Sequence, residues 1–266
     1  MVGLGWFVVA GVGQVAPGVA LGAIESHAPL IHGFTTGTSP NWSGYVGNFV
    51  PGGGNAATYV QGIWVVPTVT KTSGDTYSST WIGIDGDQNS DLIQTGTEQD
   101  WVGGKAVYRC WWEILPAAET LIPSITVHPG DEMEAVIQNT TGSTWKIEIE
   151  DATTGKSFTV SKTYTGPADS VEWIQEATTI NGKVATLAHY GSTFFNDAGI
   201  EVNHGALIGA DLQTALRLKM KQNGKIVSTP GKPNSSGLGF GVAYGKVGPA
   251  PPPNPTSSFG HRRLWH

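Results

Sequence analysis

The sequence predicts an all-β fold, a β-sandwich of two antiparallel sheets. Three observations predict it. Short runs of alternating polar and apolar residues recur between turn residues, and few windows carry a 3.6-residue apolar period. Charged residues make up only 14% of the chain, where about 25% is usual. Glycine is abundant at 37 residues, roughly twice its usual share of about 7%. That balance argues against long charged helices, a coiled coil or a highly charged disordered chain. With 266 residues there is chain enough for one sizeable core, since all-β domains of about 200–250 residues often stay single.

Taken in order, residues 1–23 contain no charged side chain and read as the apolar part of a secretory leader. They are long enough to span a bilayer, but six glycines and Pro17 weaken that reading. Secretion is therefore the expectation and an N-terminal membrane anchor the alternative. Residues 24–40 read as a short, irregular spacer. The strand pattern starts at Asn41. Tyr59–Val66 is β-branched and aromatic and stops at Pro67. In the next clear run Trp145, Ile147 and Ile149 face one way, while Lys146, Glu148 and Glu150 face the other and read as solvated. Leu216, Leu218 and Met220 alternate with Arg217, Lys219 and Lys221, then lead through Asn223-Gly224 into Lys225–Ser228, a hairpin signal. Residues 246–266 are proline-rich, then basic and aromatic, and read as a flexible tail. The sandwich is thus assigned to residues 41–245.

Composition also excludes functions. The net charge is −6 and the 15 Lys and Arg residues are scattered, so there is no basic stripe to displace counterions from nucleic acid. The lone cysteine, Cys110, lies in an aromatic run and reads as a small buried hydrophobe; no intramolecular disulfide is possible. No H-E-x-x-H zinc motif, G-x-S-x-G elbow or phosphate-binding Gly-rich loop is present. Glu201 and His204 are spaced E-x-x-H in a segment that does not look helical, and a solvated loop is the better reading. No metal site and no cofactor are expected. A charge-poor chain has few carboxylate pairs to lose as protons bind, so tolerance of acid is expected.

Three segments remain: Trp81-Ile-Gly-Ile-Asp-Gly-Asp87 followed by Asp91-Leu-Ile-Gln-Thr-Gly96; Trp111-Trp-Glu-Ile-Leu-Pro116; and Val171-Glu-Trp-Ile-Gln-Glu176. With an Asn41-Trp-Ser-Gly-Tyr45 opening, this ordered set resembles the glutamic peptidases, the eqolisin family. The likeness runs from about Asn41 to Tyr244. It implies a concanavalin-like, jelly-roll type of sandwich with a cleft on one concave face. It also implies an acid endopeptidase acting on protein or peptide substrates. The motif carries the catalytic pair onto Gln94 and Glu176, with Glu172 in reserve, because two glutamates four apart share a strand face. Trp81, Asp85 and Glu113 would line or brace the cleft, with Trp42 nearby. A monomer with no stable membrane partner is expected.

The residue chemistry suits those roles. A carboxylate with pKa near 4 is a fitting base at acid pH. A carboxamide donates at any pH, and such a donor aimed at an oxyanion is worth about 3–4 kcal/mol. Without the motif the same residues read more plainly: Glu176 as a solvated strand glutamate, Gln94 as a turn-edge residue, and Asp85 and Asp87 as turn residues beside glycine. Trp81, Trp111, Trp112 and Trp173 read as core or cleft wall, and Glu113 as a partner of Arg109 on the same strand face. Which acid of Thr97-Glu-Gln-Asp-Trp101 supports the glutamine stays open, and the stretch before Asn41 is short for a folded inhibitory propeptide. The competing enzyme is a β-sandwich glycoside hydrolase using Glu148 and Glu150, although an i, i+2, i+4 acid triad fails there at Lys146 and Ala152. The non-enzymatic alternative is a secreted module that binds saccharide or peptide.

Overall fold

A computed structural model describes residues 24–30, 37–48 and 54–254. The leader assigned to residues 1–23 and the end of the tail, 255–266, lie outside the described residues. The strands run β1 (Glu25–Ser26), β2 (Thr38–Ser39), β3 (Trp42–Asn48), β4 (Ala57–Val65), β5 (Ser79–Ile84), β6 (Ile93–Val102) and β7 (Lys105–Ile114). They continue through β8 (Thr120–Leu121), β9 (Glu132–Thr141), β10 (Thr144–Asp151), β11 (Lys156–Thr163), β12 (Ser170–Glu176), β13 (Thr179–Ile180) and β14 (Lys183–Val184). The last are β15 (Ser192–Val202), β16 (Ile208–Gly209), β17 (Leu216–Gln222), β18 (Lys225–Pro230) and β19 (Phe240–Tyr244).

The predicted all-β sandwich is observed. One antiparallel sheet has the order β11-β10-β9-β4-β15-β19-β18-β17, and the other β17-β3-β12-β5-β6-β7-β8. Strand β17 joins them by pairing with both β18 and β3. The short strands β1, β13 and β14 form a third, small sheet.

Alternation along the strands divides the molecule into two apolar layers. Ile82, Ile84, Ile93 and Trp173 from one sheet meet Val60, Trp64, Met133, Ile137, Ile147 and Ile149 from the other. Buried indoles need hydrogen-bond partners, and here they tie the sheets together. Trp173 Nε1 donates to Gln61 O at 2.8 Å, and Trp64 Nε1 donates to Thr97 Oγ1 at 3.0 Å. The second layer, Trp42, Val46, Trp81, Leu92, Trp111 and Ile174, lies on the opposite face of the same β3-β12-β5-β6-β7 sheet.

Other sequence expectations fare unevenly. The β17–β18 hairpin turns at Asn223 (φ 49°) and Gly224 (φ 76°), the two positive angles of a type I′ turn. Glu148 is buried rather than solvated, because Lys146 pairs with it at 2.9 Å and Thr159 lies directly across in β11. Strand β10, with Glu148 and Glu150, belongs to the sheet that does not carry the Gln94 and Glu176 motifs. Within 24–40, Ile24–Leu30 is not an irregular spacer: it contributes β1 and packs against the motif-bearing sheet. The described part of the tail ends at Asn254, whose Oδ1 accepts from Ser236 N at 3.2 Å.

Candidate active site

The site is built by register. Gln94 of β6 pairs with Gly83 of β5 and Glu113 of β7. Two residues on, Gly96 pairs with Trp81 and Trp111, and two further on, Glu98 pairs with Ser79 and Arg109. These positions share one face because side chains repeat every second residue. Gly96 is required between its two tryptophan neighbours, since a Cβ there would lie 2.4 Å from Thr80 O and 2.5 Å from Trp81 Cβ. On the far side, Glu176 of β12 pairs with Trp42 and Ser79.

The side chains then converge. Gln94 Nε2 donates to Glu113 Oε2 at 2.8 Å. The acid that holds the glutamine is therefore Glu113, on the neighbouring strand, and not Glu98 or Asp100. Those two face Arg109, which donates from Nε to Glu98 and from Nη2 to Asp100 at 3.3 Å. The expected Arg109–Glu113 pair does not form, because the register sets Arg109 opposite Glu98 and Glu113 opposite Gln94. Trp81 Nε1 donates to Glu176 Oε2 at 2.9 Å.

A short length of the chain's own N-terminal region lies across this group. His27 O accepts from Gln94 Nε2 at 3.0 Å, and His27 N donates to Glu113 Oε2 at 3.0 Å. The imidazole stacks on Trp111, with ring centroids 3.6 Å apart and planes 8° from parallel. Its Nδ1 is 2.9 Å from Glu176 Oε2, and its Nε2 is 3.1 Å from Glu119 Oε2 in the loop between β7 and β8. Glu25 accepts from Arg109 Nη2 at 2.6 Å.

Burial governs the electrostatics. Desolvation pushes Glu113 up to about 7, against the pull of the His27 charge and of the His27 amide. Glu176 is also raised by burial, although His27 and Trp81 favour its charged form. Burial holds Glu98 and Asp100 well above the carboxylate range, and the charge of Glu25 adds to it. Burial alone would lower His27, but hydrogen bonds to Glu119 and Glu176 hold it well above its ordinary value. Buried carboxyls that keep a proton into mild acid, beside one that accepts from a carboxamide, form a proton-handling centre.

The profile of the Peptidase A4 family matches residues 40–238. The chain belongs to the Peptidase A4 family. It is a glutamic-type endopeptidase, a hydrolase, as its motifs implied. It is 26% identical over 216 residues to Aspergillopepsin-2 of Aspergillus niger, covering 71% of this chain and 73% of that protein. The fold is similar to scytalido-glutamic peptidase solved with a transition state analog inhibitor, with TM-score 0.65, 22% identity, and coverage of 77% of this chain and 98% of that one. It is also similar to aspergilloglutamic peptidase from Aspergillus niger, with TM-score 0.55, 26% identity, and coverage of 64% and 99%.

Of the residues singled out in the sequence of this A4 peptidase, the structure gathers Gln94, Glu113, Glu176, Trp81 and Trp42. Trp42 and Trp81 pack edge to face at 5.0 Å. Asp85 stands apart. At φ 72° it accepts from Ala168 N at 2.8 Å, Asp169 N at 2.9 Å and the Tyr164 hydroxyl, so it braces the loop before β12. Glu172 shares the face of Glu176, where burial, opposed by Ser170 and reinforced by Asp85 and Asp87, holds it well above the ordinary range. The sequence reading missed His27 and Glu119, and it weighed Glu98, Asp100 and Arg109 without seeing that they pair with one another. Only the β6–β7 hairpin register could have exposed that pairing, and no spacing signal marks His27.

Proposed function

We propose that this protein is a secreted acid endopeptidase in which Glu176 activates water and Gln94 stabilises the tetrahedral oxyanion. One observation carries this reading: Gln94 Nε2 already donates to a peptide carbonyl, His27 O, at 3.0 Å, while Glu176 Oε2 lies 2.9 Å from the side chain of that same residue. A carboxamide aimed at a carbonyl oxygen becomes an oxyanion donor when that oxygen takes up charge. Water attacking the carbonyl carbon gives its proton to Glu176, which returns it to the leaving amine. Glu113 orients the Gln94 amide, and being neutral below about pH 7 it adds no negative charge beside the oxyanion. Trp81 holds the Glu176 carboxyl from behind. The scytalido-glutamic peptidase of the same fold carries a transition state analog inhibitor, which supports a hydrolytic role for this cleft. Secretion rests on the leader composition of residues 1–23. The protein acts as a monomer on protein or peptide substrates.

The test is hydrolysis of denatured casein from pH 2 to pH 8 by the wild-type chain and by Gln94→Ala, Glu176→Ala and Glu172→Ala. The expected result is cleavage in acid, reduced at least 100-fold in the first two variants and retained in the third. Wild-type turnover in Gln94→Ala would overturn the assignment. Retention in Glu176→Ala with loss in Glu172→Ala would exchange the two glutamates.

A further inference from the structure

Beside the proposed catalytic pair, three ligand-type groups from three separate segments meet. His27 Nε2 lies 3.1 Å from Glu119 Oε2 in the loop between β7 and β8, and 3.9 Å from Glu98 Oε1 of β6. Each of the three residues offers one ligand atom within 4.8 Å of the others. An ionised carboxylate oxygen only accepts hydrogen bonds. A proton on Nε2 serves Glu119, and it leaves Glu98 Oε1 buried with no hydrogen-bond partner among the described residues. Such orphans are rare in folded proteins and need a reason. The other Glu98 oxygen is engaged, because Arg109 Nε donates to Oε2.

The imidazole is already fixed as a ligand would be. Its ring stacks on Trp111 with centroids 3.6 Å apart, and its backbone is held by Gln94 and Glu113. Its Nδ1 is 2.9 Å from Glu176 Oε2. A metal-bound histidine almost always donates its other ring N–H to a carboxylate, carbonyl or water, which sets the tautomer and raises the basicity of the ligating nitrogen. Glu176 stands in that place. With the proton on Nδ1, the Nε2 lone pair faces Glu98 and Glu119. Glu25 and Asp100 add negative charge around Glu98.

We propose that His27, Glu98 and Glu119 form a divalent-cation site of the one-imidazole, two-carboxylate kind that suits zinc. A tetrahedral Zn²⁺ ion with bonds of about 2.0–2.2 Å holds its ligands roughly 3.3–3.6 Å apart, between the two separations seen at His27 Nε2. One ion serves both carboxylates at once, which one proton on Nε2 does not. The two carboxylates balance its charge. Calcium is a poor match, since it takes about six to eight oxygen ligands and these residues supply one nitrogen and two carboxylates. The Glu119 side chain keeps 9% exposure and opens a way in from solvent. The bound ion ties the N-terminal segment, β6 and the β7–β8 loop together. The ligands come from three separate segments, with His27 and Glu119 92 positions apart, so no metal-binding spacing marks them in the sequence. The competing occupant is a second proton shared between Glu98 and Glu119, whose carboxyls are near enough to hydrogen-bond.

The test titrates zinc chloride into the full chain at pH 7 by isothermal calorimetry, after dialysis against EDTA, with the thermal midpoint followed in parallel. The expected result is a single ion per chain and a raised midpoint. Variants locate the ion. His27→Ala and Glu119→Gln should each weaken binding at least 100-fold, and each is checked for folding by circular dichroism. His128→Ala removes a histidine whose side chain is 64% exposed, and it should leave affinity within about twofold. Glu176→Gln should weaken binding about 10–100-fold by acting through the far ring nitrogen. Co²⁺ in place of zinc should give the d–d absorption of a tetrahedral ion in wild type and lose it in His27→Ala. Absence of stoichiometric zinc binding by the folded wild-type chain would overturn the proposal and assign the space to the shared proton. Affinity unchanged in folded His27→Ala or Glu119→Gln would place the ion elsewhere and overturn it equally. Neither Gln94 nor Glu176 is a ligand, so either failure leaves the peptidase reading intact.

Discussion

Gln94 and Glu113 face each other across the β6–β7 pairing, and the carboxamide nitrogen of one donates to the carboxyl oxygen of the other at 2.8 Å. The glutamine's orientation is therefore tied to a group whose charge changes near neutrality.

The alkaline limb of the pH profile should report Glu113. Its carboxyl is pushed up to about 7 by burial. Below that value it is neutral; above it, a negative charge sits beside the forming oxyanion and opposes it. kcat/KM on a peptide substrate should fall as pH rises through about 7. Glu113→Gln keeps an acceptor for Gln94 but does not ionise, so its limb should move to higher pH with acid activity within about tenfold of wild type. An unchanged limb in that variant would assign the titration elsewhere.

Stability should decline from acid to neutral pH. Glu113, Glu176, Glu98, Asp100 and Glu172 are all raised, with desolvation as the leading cause. For such groups the folded state binds protons more tightly than the unfolded one. Their contribution is complete below the unfolded pKa and is lost as pH rises through the folded value. For Glu113 the window runs from 4.5 to about 7, a loss on the order of 3 kcal/mol. Glu119 is lowered and acts in the opposite sense at lower pH. Urea midpoints should be higher at pH 4 than at pH 7.5, and the reverse order would refute this account.

Arg109→Ala should destabilise the protein at neutral pH more than in acid. The guanidinium serves Glu25, Glu98 and Asp100 together. Removing it leaves buried carboxyls without a counter-charge. The loss should be roughly 3 kcal/mol, the low end for a broken buried pair because Arg109 is itself about a third exposed. Acid neutralises the stranded carboxyls, so the difference from wild type should shrink between pH 7 and pH 4 in the same urea titrations.

Gly96→Ala should be among the most damaging small substitutions in the sheet. The new methyl would sit within 2.5 Å of both the β5 backbone and Trp81 Cβ, and overpacking of a tight core typically costs about 1–3 kcal/mol. Because Trp81 also holds Glu176, the variant should lose activity along with stability. A thermal midpoint within 2 °C of wild type, together with full activity, would refute the packing argument.

Composition raised acid tolerance as an expectation through a low count of charges, and the structure offers a different physical ground for it. A low count of charges implied few carboxylate pairs to lose. The fold instead concentrates its carboxyls in one buried group where they prefer to be protonated. The hairpin at Asn223-Gly224 and the buried state of Cys110 were legible, because turn chemistry and local apolar patterning act over a few residues.

The amino-acid sequence by itself determined the sandwich and the family, and it nominated Gln94 and Glu176 for the proposed catalytic pair, since alternation and local motifs are written within single strands. It could not choose the partner of Gln94, pair Arg109 with Glu98, or part Asp85 from the cleft. Those outcomes depend on the register between strands and on a loop far along the chain. Least legible was His27, in a stretch with no periodicity at all. Only the folded chain lays its imidazole on Trp111, 84 positions further along, and its carbonyl on Gln94. Contacts over such separations are selected by the packing of the whole sheet, and no pattern within the segment itself encodes them.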